Sequence, residues 1–388
     1  MITTGFGYIS FLIIFLAFAF WFTNKYQWKI FNVIPPIIIV YIGSAVLSSV
    51  GFYGSTDSVA DVQTLITRKF LPVAIILLLM ICDFKSIMKL GPRLLGSFAL
   101  CTASIIISFI VGFLLFRNVL PDYAPECLAL LSATWIGGTQ NLMATSALLN
   151  SEGPALNYAI LVDTVFFSAW LGVLLLTVKL KDKFNKFTKA NTTSYDYVVN
   201  KLDELDKEKD KTPSTIVDVL VTLGVGFGGT WLCSTLGDLM PEVGSLNAFG
   251  WTVLFCMFLG TALSFTKLQK LKPATMFGTL FLYLLLANLG SWADFSTIMD
   301  APMFMACGGF IMIFHAVIYL IFAKIFHLDA FSVWVADIAA IGGEATAPTV
   351  AGAFDMKLAP IGILMGLAGV LVGTYLALLI NQILLFLA

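Results

Sequence analysis

The sequence predicts an all-α protein that crosses a membrane many times, and three observations support this fold class. Of the 388 residues, 59% are hydrophobic and only 12% are charged, whereas about a quarter of the residues in soluble domains are charged. The mean hydropathy is +0.94. Apolar runs long enough to span a bilayer recur along the whole chain. This composition argues against a cytosolic enzyme, a secreted disulfide scaffold and, with a net charge of −1, a nucleic-acid-binding protein.

A helix needs about 20 mostly apolar residues to cross about 30 Å of hydrocarbon, and the chain contains ten such runs. The first run has no Lys or Arg before it and no small-residue cleavage site before Lys25, so we expect a span rather than a signal peptide. The runs lie near residues 6–23, 31–50, 69–82, 94–116, 155–178, 214–236, 249–265, 274–292, 302–325 and 359–387.

Two further apolar stretches, 124–150 and 331–353, are interrupted by glycine pairs at Gly137-Gly138 and Gly342-Gly343. The limbs on either side have about 10 to 13 residues and would be roughly 15–20 Å long as helices, too short to span a bilayer alone. Paired glycines favour a break in a helix. Each stretch is therefore either one broken crossing helix or a re-entrant hairpin.

The distribution of Lys and Arg favours the re-entrant alternative for 124–150, because basic residues concentrate in cytoplasmic loops. We take the charged linker 179–213 to be cytoplasmic. A re-entrant 124–150 then places five basic residues on the cytoplasmic side, whereas a crossing 124–150 would place them outside. Arg68 and Lys69 favour the crossing alternative. The five are Lys25, Lys29, Lys85, Lys89 and Arg93. We therefore predict a multi-pass protein of the inner (cytoplasmic) membrane with a cytoplasmic linker at 179–213.

The two halves of the chain then form inverted-topology repeats of five spans and one hairpin each, the architecture of many secondary transporters. The first repeat is 1–178, with its hairpin at 124–150, and the second is 214–388, with its hairpin at 331–353. Short matches at a nearly constant offset support the duplication. Ile136-Gly137-Gly138-Thr139 aligns with Ile341-Gly342-Gly343-Glu344, Gly153-Pro154 with Ala359-Pro360, and Asp83-Phe84 before Ile87-Met88 with Asp294-Phe295 before Ile298-Met299.

Unwound backbone at membrane depth is tolerated only where it is buried in protein or lines a water-filled cavity. Two opposed hairpins would bring their glycine tips together, where helix starts offer N–H groups to a carboxylate and helix ends offer carbonyls to a cation. The polar residues at the tips could also simply cap the limbs. The predicted substrate-binding residues are Gly137, Gly138, Thr139, Gln140, Asn141, Gly342, Gly343 and Thr346.

Three acidic residues are candidates for ion coupling: Glu344, Asp337 and Asp163. A carboxylate at membrane depth is costly and usually functional, and Glu344 stands at the second tip. Asp337 is either a second cation ligand or an interfacial residue, and Asp163 lies inside a span. The six cysteines form no CxxC motif, so we expect buried apolar side chains, no resident cofactor, and no metal beyond a possible Na⁺. His315, Asn157 and Asn288 are expected to form hydrogen bonds between helices.

The paired motifs Ile136-Gly137-Gly138-Thr139 and Ile341-Gly342-Gly343-Glu344 resemble the glycine-glycine hairpin motifs of the glutamate:sodium symporter and 2-hydroxycarboxylate transporter families. The fuller motif of those families has another glycine two positions after the pair, where this chain has Gln140 and Ala345. The whole chain resembles the YjcL-like membrane proteins, a family of unknown function. The transporter resemblance implies a homodimer, each protomer having a scaffold part and a moving transport part, with an elevator motion and Na⁺ coupling.

The sequence thus predicts a cation-coupled symporter, with Na⁺ as the expected ion, for a small carboxylate-bearing solute such as an amino acid, a small peptide or an organic acid. A sodium- or proton-driven antiporter or exporter on the same fold is the alternative. A receptor or an enzyme is a third reading. The chain shows no recognisable set of nucleophile and base, which argues against an enzyme. The expected partners are the solute, the lipid bilayer and a second protomer.

Overall fold

The computed structural model describes residues 1–26, 36–82, 87–88, 90–151, 153–190, 214–242, 247–291, 301–355 and 358–388. These ranges are helical apart from short turns, and they contain no strand beyond one isolated bridge between Ile2 and Tyr53. The predicted all-α fold class is therefore confirmed.

Sixteen α-helices are described. They are α1 Gly5–Tyr26, α2 Pro36–Ser49, α3 Asp57–Leu65, α4 Leu71–Met80, α5 Gly91–Phe116, α6 Ala124–Gly137, α7 Thr139–Leu149, α8 Pro154–Thr177, α9 Lys181–Thr188, α10 Ile216–Gly237, α11 Ala248–Leu263, α12 Pro273–Gly290, α13 Ala301–Ile325, α14 Ala330–Ile341, α15 Gly343–Phe354 and α16 Ala359–Leu387. Short 3₁₀ turns lie at Val178–Leu180 and Lys267–Lys270.

Eight helical segments in the described ranges are long and apolar enough to cross a membrane, and each contains or overlaps a predicted span. Two further predicted spans correspond to the shorter apolar helices α2 and α11. The multi-pass prediction is confirmed. The eight segments are Gly5–Tyr26, Asp57–Met80, Gly91–Phe116, Pro154–Thr188, Ile216–Gly237, Pro273–Gly290, Pro302–Ile325 and Ile361–Leu387.

The start of the third span was predicted wrongly. The apolar run begins near residue 69, but the helix begins at Asp57 and continues through a π-helical turn, Ile66–Phe70, into α4. Two basic residues in that turn interrupted the pattern. Both have partners in the structure: the guanidinium of Arg68 lies 5.1 Å from the centre of the Phe249 ring, and Lys69 Nζ lies 3.5 Å from Ser234 Oγ.

The chain forms two compact units. Unit 1 comprises Met1–Cys82, Ser146–Asn157 and Ser214–Met299, and unit 2 comprises Asp83–Thr145, Tyr158–Pro213 and Asp300–Ala388. Each half of the chain contributes first to unit 1 and then to unit 2, except that Ser146–Asn157, the end of α7 and the start of α8, returns to unit 1 within the first half. These units divide the chain differently from the repeats 1–178 and 214–388, which remain a prediction.

Polar side chains join the helices of unit 1. Tyr8 on α1 donates a hydrogen bond to Asn288 Oδ1 on α12 at 2.7 Å, and Asn288 Nδ2 donates to Thr67 Oγ1 at 3.2 Å. Asn157 accepts a hydrogen bond from the Tyr41 hydroxyl at 3.1 Å. Both asparagines therefore have the interhelical role that the sequence predicted.

Two predicted features lie partly outside the described residues. The linker 179–213 is described only as far as residue 190, where it includes the short helix α9. Of the paired motif that begins at Asp83 and Asp294, only Ile87 and Met88 belong to the described part of the chain.

Candidate functional site

Both glycine pairs break a helix. α6 ends at Gly137, and Gly138 has φ +87°. α14 ends at Ile341, and Gly343, which opens α15, has φ +64°. Positive φ is the region that glycine occupies without steric cost. We call α6 and α7 the first broken pair and α14 and α15 the second broken pair.

The two breaks lie against each other inside unit 2. A Cβ built onto Gly138 would lie 3.9 Å from Cα of Gly343, and a Cβ built onto Gly343 would lie 3.7 Å from Cα of Gly138. The same Cβ would lie 3.9 Å from the carbonyl oxygen of Gly137. The structure therefore brings together the four glycines that the sequence singled out.

The last helix, α16, supports both breaks with one glycine-bearing face. Its glycines lie at spacings of four, three and four residues, which place them on one side of a helix. They are Gly362, Gly366, Gly369 and Gly373.

Two of these glycines contact the breaks most closely. A Cβ built onto Gly366 would collide with backbone N and Cα of Glu344, and would lie 2.6 Å from the carbonyl carbon of Gly343. A Cβ built onto Gly369 would collide with the carbonyl oxygen of Ile136. The sequence analysis missed this face, although the spacing of the glycines was visible.

The polar residues at the tips differ in their surroundings. Asn141 is buried and donates from Nδ2 to the carbonyl oxygen of Gly369 at 3.2 Å. Thr346 donates to the carbonyl oxygen of Gly342 at 2.8 Å. Gln140 is buried and Thr139 is half-buried. Asn141 and Thr346 thus stabilise the breaks, and a capping role and a binding role are compatible.

Glu344 lies in the first turn of α15 and is half-buried. Its backbone packs on Gly366. Within the described residues, its carboxylate forms no hydrogen bond or ion pair with another side chain. Glu344 is therefore a carboxylate beside both breaks that is available to a ligand.

The other two acidic candidates are each held by a tryptophan. Asp163 on α8 accepts a hydrogen bond from Trp135 Nε1 on α6 at 3.0 Å. Asp337 on α14 accepts one from Trp170 Nε1 on α8 at 3.2 Å. Helix α8 thus gives an aspartate to the first broken pair and a tryptophan to the second.

A third hydrogen bond continues this pattern. Thr177 on α8 accepts from Trp334 Nε1 on α14 at 2.7 Å. Asp163, Trp170 and Thr177 are spaced by seven residues, which keeps them near one face of α8. The sequence analysis singled out Asp163 but missed this row, because nothing in the sequence shows which residues face α8.

Asp337 is 3% exposed and so is buried inside unit 2. It has a second neighbour besides Trp170, because its Oδ1 lies 3.2 Å from Nε2 of the buried His315. His315 therefore forms the interhelical contact that the sequence predicted.

At the two breaks, backbone N–H groups, which are partly positive, and backbone carbonyl oxygens, which are partly negative, lie close together. The first turns of α7 and α15 contain N–H groups without helical acceptors, and the last turns of α6 and α14 contain carbonyls without helical donors. Such helix ends suit a small anion and a cation respectively. The chemistry available is thus recognition of a charged solute by backbone groups, with Glu344 beside them.

Comparison with known proteins gives a family. A family model described as "Protein of unknown function (DUF819)" matches residues 10–387. The uncharacterized membrane protein YjcL of Bacillus subtilis (strain 168) is 25% identical over 390 residues, which cover 94% of this chain and 93% of that protein. The predicted resemblance to YjcL-like membrane proteins is confirmed, and the likeness to the two symporter families remains a resemblance of motifs.

Proposed function

The chain belongs to the DUF819 family of membrane proteins, and we propose that it is a cation-coupled secondary transporter. We propose further that it is a symporter for a small carboxylate-bearing solute, such as an amino acid, a small peptide or an organic acid. The expected coupling ion is Na⁺.

The observation that carries the proposal is the contact between the two breaks. Broken helices at membrane depth leave backbone groups unpaired, and each such group costs several kcal/mol in lipid. Two such breaks held against each other and against a glycine face have no evident value for stability alone. In transporters, discontinuous helices place these groups around the substrate and its ion.

The class of solute follows from the groups at the breaks. The N–H groups at the starts of α7 and α15, together with the amides of Gln140 and Asn141, favour a carboxylate. The carbonyls at the ends of α6 and α14, together with the carboxylate of Glu344, favour a cation. A bound cation lowers the repulsion between the carboxylate of Glu344 and an anionic solute. This gives a physical reason for the binding of the cation and the solute to be coupled.

The mechanism and assembly are carried over from the symporter families. Unit 2 contains both glycine breaks, the whole second broken pair and the first broken pair as far as Thr145, so we assign it as the moving transport part, and we assign unit 1 as the scaffold part. An elevator motion, a homodimer, an inner-membrane location and a cytoplasmic linker belong to the same proposal.

Thermal stability of the detergent-purified protein tests the proposal. The protein is heated with a panel of carboxylates, amino acids and dipeptides, each with Na⁺ or with choline. A ligand that binds the folded state raises its stability by mass action, by about 2.7 kcal/mol at a hundredfold excess over Kd. We expect a rise in melting temperature that requires both Na⁺ and one class of solute.

Glu344→Gln should lose the Na⁺-dependent rise, whereas Asp122→Asn, an exposed carboxylate ahead of α6, should keep it. If the solutes raised the melting temperature in choline, without Na⁺, this result would contradict Na⁺ coupling. No rise with any solute or ion across the panel would contradict the proposed substrate class.

A sodium- or proton-driven antiporter is the second candidate, and one observation favours it. The charged side chains that line or hold the breaks, Asp163, Asp337 and Glu344, are all acidic, so a cation could use them without an organic anion. Cation exchange in vesicles that is indifferent to every solute in the panel would support this candidate.

A further inference from the structure

Three side chains from three helices meet in the interior of unit 2. They are Cys101 on α5, His315 on α13 and Asp337 on α14, and they are 0%, 0% and 3% exposed. One possible ligand atom from each lies within 4.8 Å of the other two. The inference from this cluster does not depend on the proposed transport function.

The neighbouring Ser104 favours the tautomer of His315 that carries its proton on Nδ1. Ser104 Oγ lies 2.6 Å from the carbonyl oxygen of Cys101. A carbonyl can only accept, so the one hydroxyl hydrogen is used there. Ser104 Oγ also lies 2.8 Å from His315 Nδ1, where it is placed to accept a hydrogen bond from Nδ1–H. In the neutral ring, Nε2 therefore carries the lone pair.

That lone pair faces a second acceptor. Nε2 of His315 lies 3.2 Å from Oδ1 of Asp337. An ionised carboxylate oxygen only accepts, and the same Oδ1 already accepts from Trp170 Nε1 at 3.2 Å. Two acceptors this close in a buried place require a positive charge between them, which is either a shared proton or a metal ion.

The thiol of Cys101 distinguishes these two solutions. A proton shared between His315 and Asp337 leaves the thiol without a role, whereas a metal ion uses all three donors. Cysteine, histidine and aspartate are the ligand types of Zn²⁺ and related divalent transition-metal ions.

The geometry fits such an ion. Two ligands at about 2.0–2.1 Å from a tetrahedral ion are about 3.3 Å apart, close to the separation of Nε2 and Oδ1. Metal-bound histidine and carboxylate side chains are usually oriented by hydrogen-bonding partners, a role that Ser104 and Trp170 fill here. We propose that Cys101, His315 and Asp337 bind a divalent transition-metal ion of the zinc type.

Because the cluster is buried, the metal is supplied during synthesis. The full-length protein is produced in medium supplemented with Zn²⁺ or Co²⁺, purified in detergent and desalted, and its metal is measured by mass spectrometry. We expect equimolar metal in the wild type. The Co²⁺ form should also show a near-ultraviolet charge-transfer band from a bound thiolate.

Two variants each remove one proposed ligand, and two control variants leave the cluster intact. Cys101→Ser and Asp337→Asn should lose both the metal and the band. Cys127→Ser, another buried cysteine of unit 2, and His327→Gln, the other histidine, should keep both.

Folded wild-type protein with metal far below equimolar would overturn the proposal, and this result needs no variant. A thiolate band that persists in Cys101→Ser would also overturn it. The readout uses no solute and no transport, so a failure here is separate from a failure of the proposed function.

Discussion

The two broken pairs share a backbone plan but differ in charge. The first broken pair has Thr139, Gln140 and Asn141 after its break and a tryptophan, Trp135, at the end of its entering helix. The second has Glu344 after its break and Asp337 in its entering helix. Near its break the first pair therefore presents neutral donors and acceptors, its one acidic residue, Glu126, lying at the far end of α6, whereas the second presents carboxylates.

In the proposed function, this difference divides the roles of the two pairs at one junction. Neutral amides can recognise a solute without adding charge, whereas a carboxylate beside a helix start can bind a cation and release it. The two aspartates also differ in their partners, because Asp337 contacts Trp170 and His315, from α8 and α13, whereas Asp163 contacts Trp135 and Thr134, both from α6.

The largest effect on stability is expected where α16 supports the second broken pair. Gly366→Ala places a Cβ against backbone atoms of Glu344 and Gly343, which cannot rotate away. Overpacking of this kind costs about 1–3 kcal/mol. We expect Gly366→Ala at the upper end of that range and Gly369→Ala, which meets the carbonyl of Ile136, below it. The measurement is the melting temperature in detergent.

The matched control is Gly172→Ala on α8, because a Cβ built at Gly172 meets no atom within 4 Å. This change should leave the melting temperature unchanged or slightly raised, since alanine favours a helix over glycine by about 0.5–1 kcal/mol. Equal melting temperatures for Gly366→Ala and Gly172→Ala would contradict the close packing of α16 on the break.

The two tryptophan–aspartate hydrogen bonds should differ in importance. Trp135→Phe removes the fully buried indole N–H that donates to Asp163, whose other side-chain partner is Thr134, and the loss of a buried hydrogen bond to a carboxylate costs about 1–3 kcal/mol. Trp170→Phe should cost less, because Trp170 is only half-buried. Denaturant or thermal unfolding of the two variants measures the difference. A larger loss for Trp170→Phe would reverse the asymmetry.

The smallest effect is expected from the polar side chains that stabilise the breaks. Asn141→Ala removes a buried hydrogen bond to Gly369 and should cost about 1 kcal/mol, whereas Thr346→Val removes a partly exposed bond within its own helix and should cost about 0.5 kcal/mol. Solute-dependent stabilisation should weaken in Asn141→Ala if the first pair recognises the solute. Unchanged solute binding in that variant would assign Asn141 to structure alone.

Much of the fold could be predicted from the sequence, because length, hydropathy and paired glycines are local signals. They identified the spans and the two breaks. They failed at the start of the third span. There Arg68 and Lys69 interrupt the apolar pattern, but the helical segment continues past them. The orientation of the spans and the inverted relation of the halves remain predictions.

The site was only partly predictable, since its parts come from distant positions. The tips were visible because each is a short motif. Other contacts depend on which sides of the helices pack together. These are the contact of Gly366 with Glu344, the hydrogen bonds between α8 and both broken pairs, and the cluster of Cys101 with His315. A single sequence contains no direct record of those contacts, although the glycine spacing in α16 was a usable signal.

Transport in proteoliposomes tests whether the junction of the two broken pairs binds solute and cation together. Uptake of the solute that stabilises the purified protein is measured with an inward Na⁺ gradient and with choline, for the wild type, Glu344→Gln and Asp122→Asn. We expect Na⁺-driven uptake by the wild type and by Asp122→Asn, and none by a folded Glu344→Gln. Wild-type uptake by Glu344→Gln would contradict it.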